Sequence, residues 1–279
     1  MSTSANDVLL DVAGITAGFE VRNGWTEALH GISFTVRKRE IVGLVGESGS
    51  GKSTAVRSVL GLLAAGGKVT GGSAHLDGVD LLGCGPRRLR EIRGPQIGFV
   101  AQNPFSALNP VIRLSKQFAA IFKAHGQKFG AAERDRCVAM LAATGIREPE
   151  RVIGGYAFEL SGGMAQRVVI AMAMVLEPSL VIADEPTTAL DLTVQRQVLD
   201  VFAELTMVAG RSALVVTHDL GVVANYCDRV IVMLDGRIVE EGDVSVVLTE
   251  PRHSYTQHLL ASAHGRTPND GEVVRHGVR

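Results

Sequence analysis

Short apolar runs recur along the first hundred positions at the spacing of strands. Val8–Phe19, Ile32–Val36 and Glu40–Val45 either alternate or run continuously apolar. The third leads into a Gly-rich loop, after which Lys52–Leu63 has helical texture and ends at Ala64-Ala65-Gly66-Gly67. Strand character returns at Gly71–Leu76 and Gln96–Ala101. From about Phe105 to Glu159 the texture changes to helix-period segments rich in Ala and charge, such as Arg113–Ala124 and Ala131–Thr144. These predict a helical insertion. A helix then begins near Ser161 and continues to Leu176, and the apolar stretch Val168–Leu176 within it reads as buried.

Beyond that helix the two periods alternate. Leu180–Ala183, Ala213–Thr217 and Val230–Leu234 read as strands, while Val194–Val208 and Leu220–Tyr226 read as helices. Asp235-Gly236 predicts a hairpin turn into Arg237–Glu241. Short, wholly apolar strands alternating with helices predict an α/β fold whose mainly parallel sheet is covered on both faces.

Composition narrows the function classes. Net charge is −1, so no global field recruits nucleic acid. The basic run Arg87-Arg88-Leu89-Arg90 has acidic neighbours and reads as a solvated face. Cys84, Cys137 and Cys227 are far apart and odd in number, which suggests neither a disulfide framework nor a zinc site. The start MSTSANDVLLDV lacks a basic stretch followed by an apolar one, so no secretion signal is expected. No run approaches the ~18 apolar residues of a membrane span. A membrane role would have to come from a partner.

Gly46-x-x-x-x-Gly51-Lys52-Ser53 matches the P-loop pattern. Glycines let backbone N–H groups turn inward on phosphate oxygens, and the following helix adds the partial positive charge of its N-terminus. Candidate phosphate contacts are Gly46, Ser48, Gly49, Ser50, Gly51, Lys52, Ser53 and Thr54. Lys52 is placed to reach β- and γ-phosphates, and Ser53 offers its hydroxyl to Mg²⁺. The apolar run Leu180–Ala183 ends in Asp184-Glu185, putting carboxylates at the sheet edge where α/β proteins bind ligands. Asp184 suits the Mg²⁺ water shell, and Glu185 could polarise an attacking water. Ser161-Gly162-Gly163 reads as an N-cap followed by flexible backbone, a second anion-binding helix start. With one P-loop in the chain, it suits the nucleotide of another subunit.

The ordered set resembles the ATPase subunits of ABC transporters from about Val8 to Leu260. Gly46–Ser53 is similar to their Walker A loop, Gln102 to the Q-loop glutamine and Leu160–Gly163 to the signature. Leu180–Glu185 is similar to the Walker B strand, Ala189-Leu190-Asp191 to the D-loop and His218 to the switch histidine. The resemblance implies a P-loop NTPase with a RecA-like sheet core, an antiparallel β subdomain and the helical subdomain inserted at about 105–176. The ATPase domain would span 1–264, with a short tail at 265–279. It implies catalytic roles for Glu185, His218 and Gln102, with Gln102 also near Mg²⁺ beside Ser53 and Asp184. Ser161, Gly162, Gly163 and Asp191 would serve ATP across a dimer interface. An aromatic stacks on adenine in this family; Trp25 is the candidate and Phe19 the runner-up.

Gln102-Asn103-Pro104-Phe105-Ser106-Ala107-Leu108-Asn109-Pro110, Met164 and Pro251-Arg252-His253-Ser254-Tyr255-Thr256 resemble the oligopeptide, dipeptide and nickel importer branch. That branch implies uptake of peptides, alternatively of nickel, a metal chelate or another small solute. It implies transmembrane permease subunits, a second ATP-binding subunit (a sister chain or a second copy), and indirectly an extracytoplasmic substrate-binding protein. The chain would sit peripherally on the cytoplasmic face of the cell membrane, with no nucleic-acid partner. Some relatives carry a cysteine-bearing C-terminal cluster region. Nothing after Cys227 is a cysteine here, so no iron–sulfur cluster is expected. A non-transport ABC ATPase is the competing reading. It is disfavoured by the lack of a coiled-coil insertion, by the single ATPase domain and by near-neutral charge.

Overall fold

The computed structural model describes residues 7–22, 24–187 and 190–263. Thr188, Ala189 and the expected tail at 265–279 lie outside the described residues. Strands β1 (Val8–Val21) and β2 (Gly24–Arg37) form a long hairpin. Strands β4 (Gly67–Leu76) and β5 (Val79–Asp80) extend it antiparallel in the order β2-β1-β4-β5. Only Ile32–Val36 of β2 was apolar enough to predict. Its first half, exposed at Trp25 and Glu27, is held by pairing to β1 rather than by burial.

The second sheet has the order β10-β9-β3-β8-β7-β6. Strands β3 (Ile41–Val45), β6 (Ile97–Val100), β7 (Leu180–Asp184), β8 (Ser212–Thr217) and β9 (Arg229–Leu234) run parallel. Strand β10 (Arg237–Asp243) folds back antiparallel through Asp235-Gly236, as that dipeptide predicts. Every residue of β3, β7 and β8 is buried, which is why these strands read as unbroken apolar runs. Successive side chains still alternate between faces. Ile182 and Leu214 join Val12, Phe34, Val56 and Leu76 on the hairpin side. Val181, Ala183, Ala213 and Val215 join Phe118, Phe122 and Leu141 on the other.

Those last residues come from helices between β6 and β7: α3 (Pro104–Ala107), α4 (Leu114–Ala124), α5 (Ala131–Ala143), α6 (Pro149–Gly154) and α7 (Gly162–Met174). Ahead of them lie α1 (Lys52–Val59) and α2 (Pro86–Ile92), the latter carrying the basic run as an exposed face paired to Glu91. Helix α1 ends four residues before the expected Leu63. Gly61 takes φ +60, and the Gly61 and Leu62 N–H groups bond Ser58 O and Arg57 O in a left-handed cap. Helices α8 (Leu192–Val208), α9 (Leu220–Tyr226), α10 (Val244–Thr249) and α11 (Ser254–Ala263) complete the order. The last three pack a satellite core on Val45, Val230 and Val232. None of the described helices is long and apolar enough to cross a membrane.

Register decides what meets at the sheet edge. Val45 lies opposite Thr217, and Asp184 opposite Val216. The loops after β3, β7 and β8 therefore emerge side by side, together with the segment following β6.

Candidate functional site

The Gly-rich loop after β3 wraps one end of a cavity of about 970 Å³. Gly46 opens it at φ +154, and a Cβ there would lie 2.2 Å from the Met233 carbonyl oxygen, so no side chain fits. Gly46, Ser48, Gly49, Gly51, Lys52, Ser53 and Thr54 line the cavity. Ser50 does not; it is buried, and its carbonyl accepts from Gly236 N at 3.0 Å. Lys52, 5% exposed, donates its ammonium to Gly46 O at 2.7 Å and Glu47 O at 2.8 Å, stitching the loop onto itself. Burial lowers the Lys52 pKa, against which the charges of Glu185, Asp184 and Glu47 act.

Ser53 Oγ donates to Asp184 Oδ1 at 2.9 Å, bringing hydroxyl and carboxylate together as the sequence predicts. Asp184 is 1% exposed, and burial raises its pKa despite the Ser53 hydrogen bond and Arg57, whose Nη2 is 3.8 Å away. Two hard oxygen donors at a phosphate loop fit Mg²⁺, which takes few protein ligands and shares the rest with water and phosphates.

Glu185 follows at φ +46, in the left-handed region, with its N–H bonded to Val216 O at 2.9 Å. A non-glycine residue pays strain there, and here the strain turns the carboxylate out of the sheet into the cavity. Its Oε2 accepts from Gln102 Nε2 at 2.8 Å, and its Oε1 lies 3.5 Å from His218 Nδ1. Gln102, Glu185 and His218, distant in sequence, thus form one wall.

The other expected residues stand elsewhere. Ser161 caps α7 by accepting from Met164 N at 3.3 Å, and with Gly162 and Gly163 it lies outside this cavity. Gly163 has a packing reason to be glycine: a Cβ would sit 2.5 Å from Val194 Cγ1 on α8. Asp191 caps α8 through Thr193 N and Val194 N and is exposed. Trp25 and Phe19 are not brought to the cavity. Trp25 lies across the hairpin against Gly18, and Phe19 packs on Gly67 where β4 begins. The β2 residues that reach the cavity are Glu27, Ala28 and His30, which carry no motif in the sequence. Asp235 and Gly236 line it from the β9–β10 turn, and Leu259, Ser262 and Ala263 line it from α11.

The family model described as ABC transporter matches residues 29–188. The chain is 44% identical to the peptidoglycan transport ATP-binding protein YejF of Agrobacterium fabrum, over 94% of this chain and 48% of that protein. It therefore spans about half of that relative's length. It is 41% identical to the oligopeptide transport ATP-binding protein OppD of Bacillus subtilis, over 91% of this chain and 71% of that protein. Among solved structures it is similar to a dimeric ATP-binding cassette in a post-hydrolysis state with ADP and phosphate. There the TM-score is 0.75 at 27% identity, covering 85% of this chain and 99% of that one. It is also similar to cbiO1 of Clostridium perfringens, part of an ABC transporter complex, with TM-score 0.73 at 29% identity over 88% and 92% of the two chains.

Proposed function

The chain belongs to the ABC transporter family of ATP-binding proteins, and we propose that it hydrolyses ATP at this site to power peptide import. The observation that carries the proposal is Glu185, held between Gln102 and His218 on the wall of the P-loop cavity. ATP lays its phosphates along the N–H groups of Gly49–Thr54, and the Lys52 ammonium shifts from loop carbonyls to the β- and γ-oxygens. Ser53 and Asp184 would hold Mg²⁺, which when bound neutralises charge developing on the phosphates. Glu185 takes the hydrogen bond of the attacking water. Gln102 fixes the carboxylate, and His218, beside Glu185, would support both water and γ-phosphate.

Ser161–Gly163 stands away from this cavity, which supports its service to the nucleotide of a second ATP-binding subunit, with Asp191 at the same interface. The cargo class follows relatives named for oligopeptide and dipeptide transport. On this reading permease subunits provide the path, a substrate-binding protein delivers the peptide, and the chain works at the cytoplasmic membrane face. Closure and reopening of the ATPase pair would alternate access. The test is Glu185→Gln. ATP should still bind while turnover falls by about three orders of magnitude, within the roughly 10²–10⁴-fold that a positioned general base contributes, and a closed dimer should accumulate by size-exclusion chromatography. Normal hydrolysis by this variant would refute the role.

A further inference from the structure

The C-terminal helix reaches back to the phosphate loop. Tyr255, in the first turn of α11, accepts a hydrogen bond on its hydroxyl oxygen from the backbone N–H of Glu47 at 2.9 Å, across 208 positions of sequence. Glu47 is held on its other side as well, because its carbonyl accepts from Lys52 Nζ at 2.8 Å. A single loop residue thus joins the tyrosine to the phosphate-binding cation. The helix is not loosely laid there. Tyr255, Leu259 and Leu260 belong to the satellite core on Val45, the residue immediately before the loop. The turn leading into the helix is latched to β10: the Arg252 and His253 N–H groups both donate to the Glu240 carboxylate, at 2.8 and 3.1 Å. His253 Nδ1 then accepts from Tyr255 N at 3.2 Å, and Gln257 Nε2 donates to Pro251 O at 2.9 Å. The same helix turns Leu259, Ser262 and Ala263 to the cavity.

We propose that Tyr255 is a positioning residue of the nucleotide site, setting the shape of the phosphate loop through the Glu47 N–H. The proposal rests on the ATP-binding reading of that loop and gives Tyr255, marked in the sequence only as part of a branch-like stretch, a role at the phosphates. Its chemistry is simple. The Glu47 N–H is fixed by an acceptor whose own position is set by a packed helix, so the first turn of the loop keeps one geometry as Lys52 moves between carbonyls and phosphate. Without the hydroxyl, that N–H must find water, and the loop samples shapes in which Lys52 and the loop N–H groups no longer converge.

The experiment compares the full chain with its Tyr255→Phe variant, which keeps the ring and its packing and removes only the oxygen. Isothermal titration calorimetry measures binding of ATP and of inorganic tripolyphosphate, a probe with phosphates and no base. Both affinities are expected to fall about five-fold, the loss of one ordinary hydrogen bond. In steady-state hydrolysis the ATP KM should rise by a similar factor, with kcat at saturation within about two-fold of wild type. A lowered melting temperature with both affinities unchanged would reduce Tyr255 to a packing residue and overturn the proposal. Weakened ATP binding with unchanged tripolyphosphate binding would overturn it too, since the hydroxyl would then act on the base side. Binding is read without turnover, so a wild-type chain that binds but does not hydrolyse ATP refutes the ATPase reading alone.

Discussion

Gln102 Nε2 donates to Glu185 Oε2 at 2.8 Å, joining the segment after β6 to the end of β7. The contact follows from register, because Val100 pairs with Ala183 and the residues just beyond each must meet. Gln102 is exposed and stands at the start of the segment that leads into the inserted helices. The Gln102–Glu185 bond therefore ties the start of that segment to the cavity wall. Gln102→Ala removes a hydrogen bond to a carboxylate, a contact of about 1.5–3 kcal/mol. Turnover is expected to fall by at least about ten-fold while ATP affinity stays near wild type. Steady-state kinetics beside calorimetric binding checks it; a matching loss of affinity would place Gln102 in binding instead.

The parallel core was legible because β3, β7 and β8 are buried on both faces and, beyond Ser212 at the start of β8, carry no polar residue until Asp184 and Thr217. The phosphate loop, Asp184, Glu185 and Ser161 were legible because each lies beside an apolar run in the chain. Glu27, His30 and Asp235 were not, since they reach the cavity only through pairing of β2 and the β9–β10 turn. Tyr255 was visible as part of a branch-like stretch, yet its contact with Glu47 depends on how α11 packs, which no local pattern encodes. Trp25 shows the converse: an aromatic in the right stretch of chain whose strand position turns it onto Gly18.

Asp184 has a consequence for stability as well as chemistry. Its folded pKa is raised by burial, so the neutral acid fits the site better than the carboxylate does. The contribution is thus fully present below the unfolded value near 3.8 and is lost as pH rises through the higher folded value. Asp184→Asn keeps an acceptor for Ser53 and carries no charge. Its melting temperature should exceed that of the wild type by a margin that opens as pH climbs above 3.8 and then levels off. Hydrolysis should fall roughly 10–100-fold, as when a group supporting a metal is lost. Thermal melts across pH check the first part. A gap that closes with rising pH would contradict it.

Gly163 separates packing from function at the start of α7. Its missing side chain makes room for Val194 Cγ1, so Gly163→Ala overpacks the contact with α8 and should cost about 1–3 kcal/mol. Adding Val194→Ala opens that space and should restore most of the melting temperature. If Gly163 serves a partner's nucleotide as proposed, hydrolysis should stay low in the double variant. Recovery of both stability and turnover would show that Gly163 serves packing alone.

Glu40 and Arg229 test what fastens the two sheets. Glu40 is 6% and Arg229 8% exposed, with Nη1 3.2 Å from Oε1. The carboxylate also accepts from Arg37 N at 2.7 Å, closing the turn between β2 and β3, while the guanidinium reaches Thr35 O at 3.4 Å. The pair therefore ties the end of the hairpin sheet to β9. Glu40→Ala leaves a buried cation and an orphaned N–H, and removing one partner of such a pair costs about 3–5 kcal/mol. Glu241, 3.7 Å from Arg229 Nη2, gives partial compensation, so a loss near the lower end, about 3 kcal/mol, is expected. Glu40→Leu with Arg229→Met removes both charges and should recover much of that loss, since a buried ion pair and an apolar pair of like volume are often nearly equal in stability. Urea unfolding of the two variants provides the measurement. A double variant less stable than Glu40→Ala would mean that the pair contributes more through its bonds to Arg37 and Thr35 than its charges cost in burial.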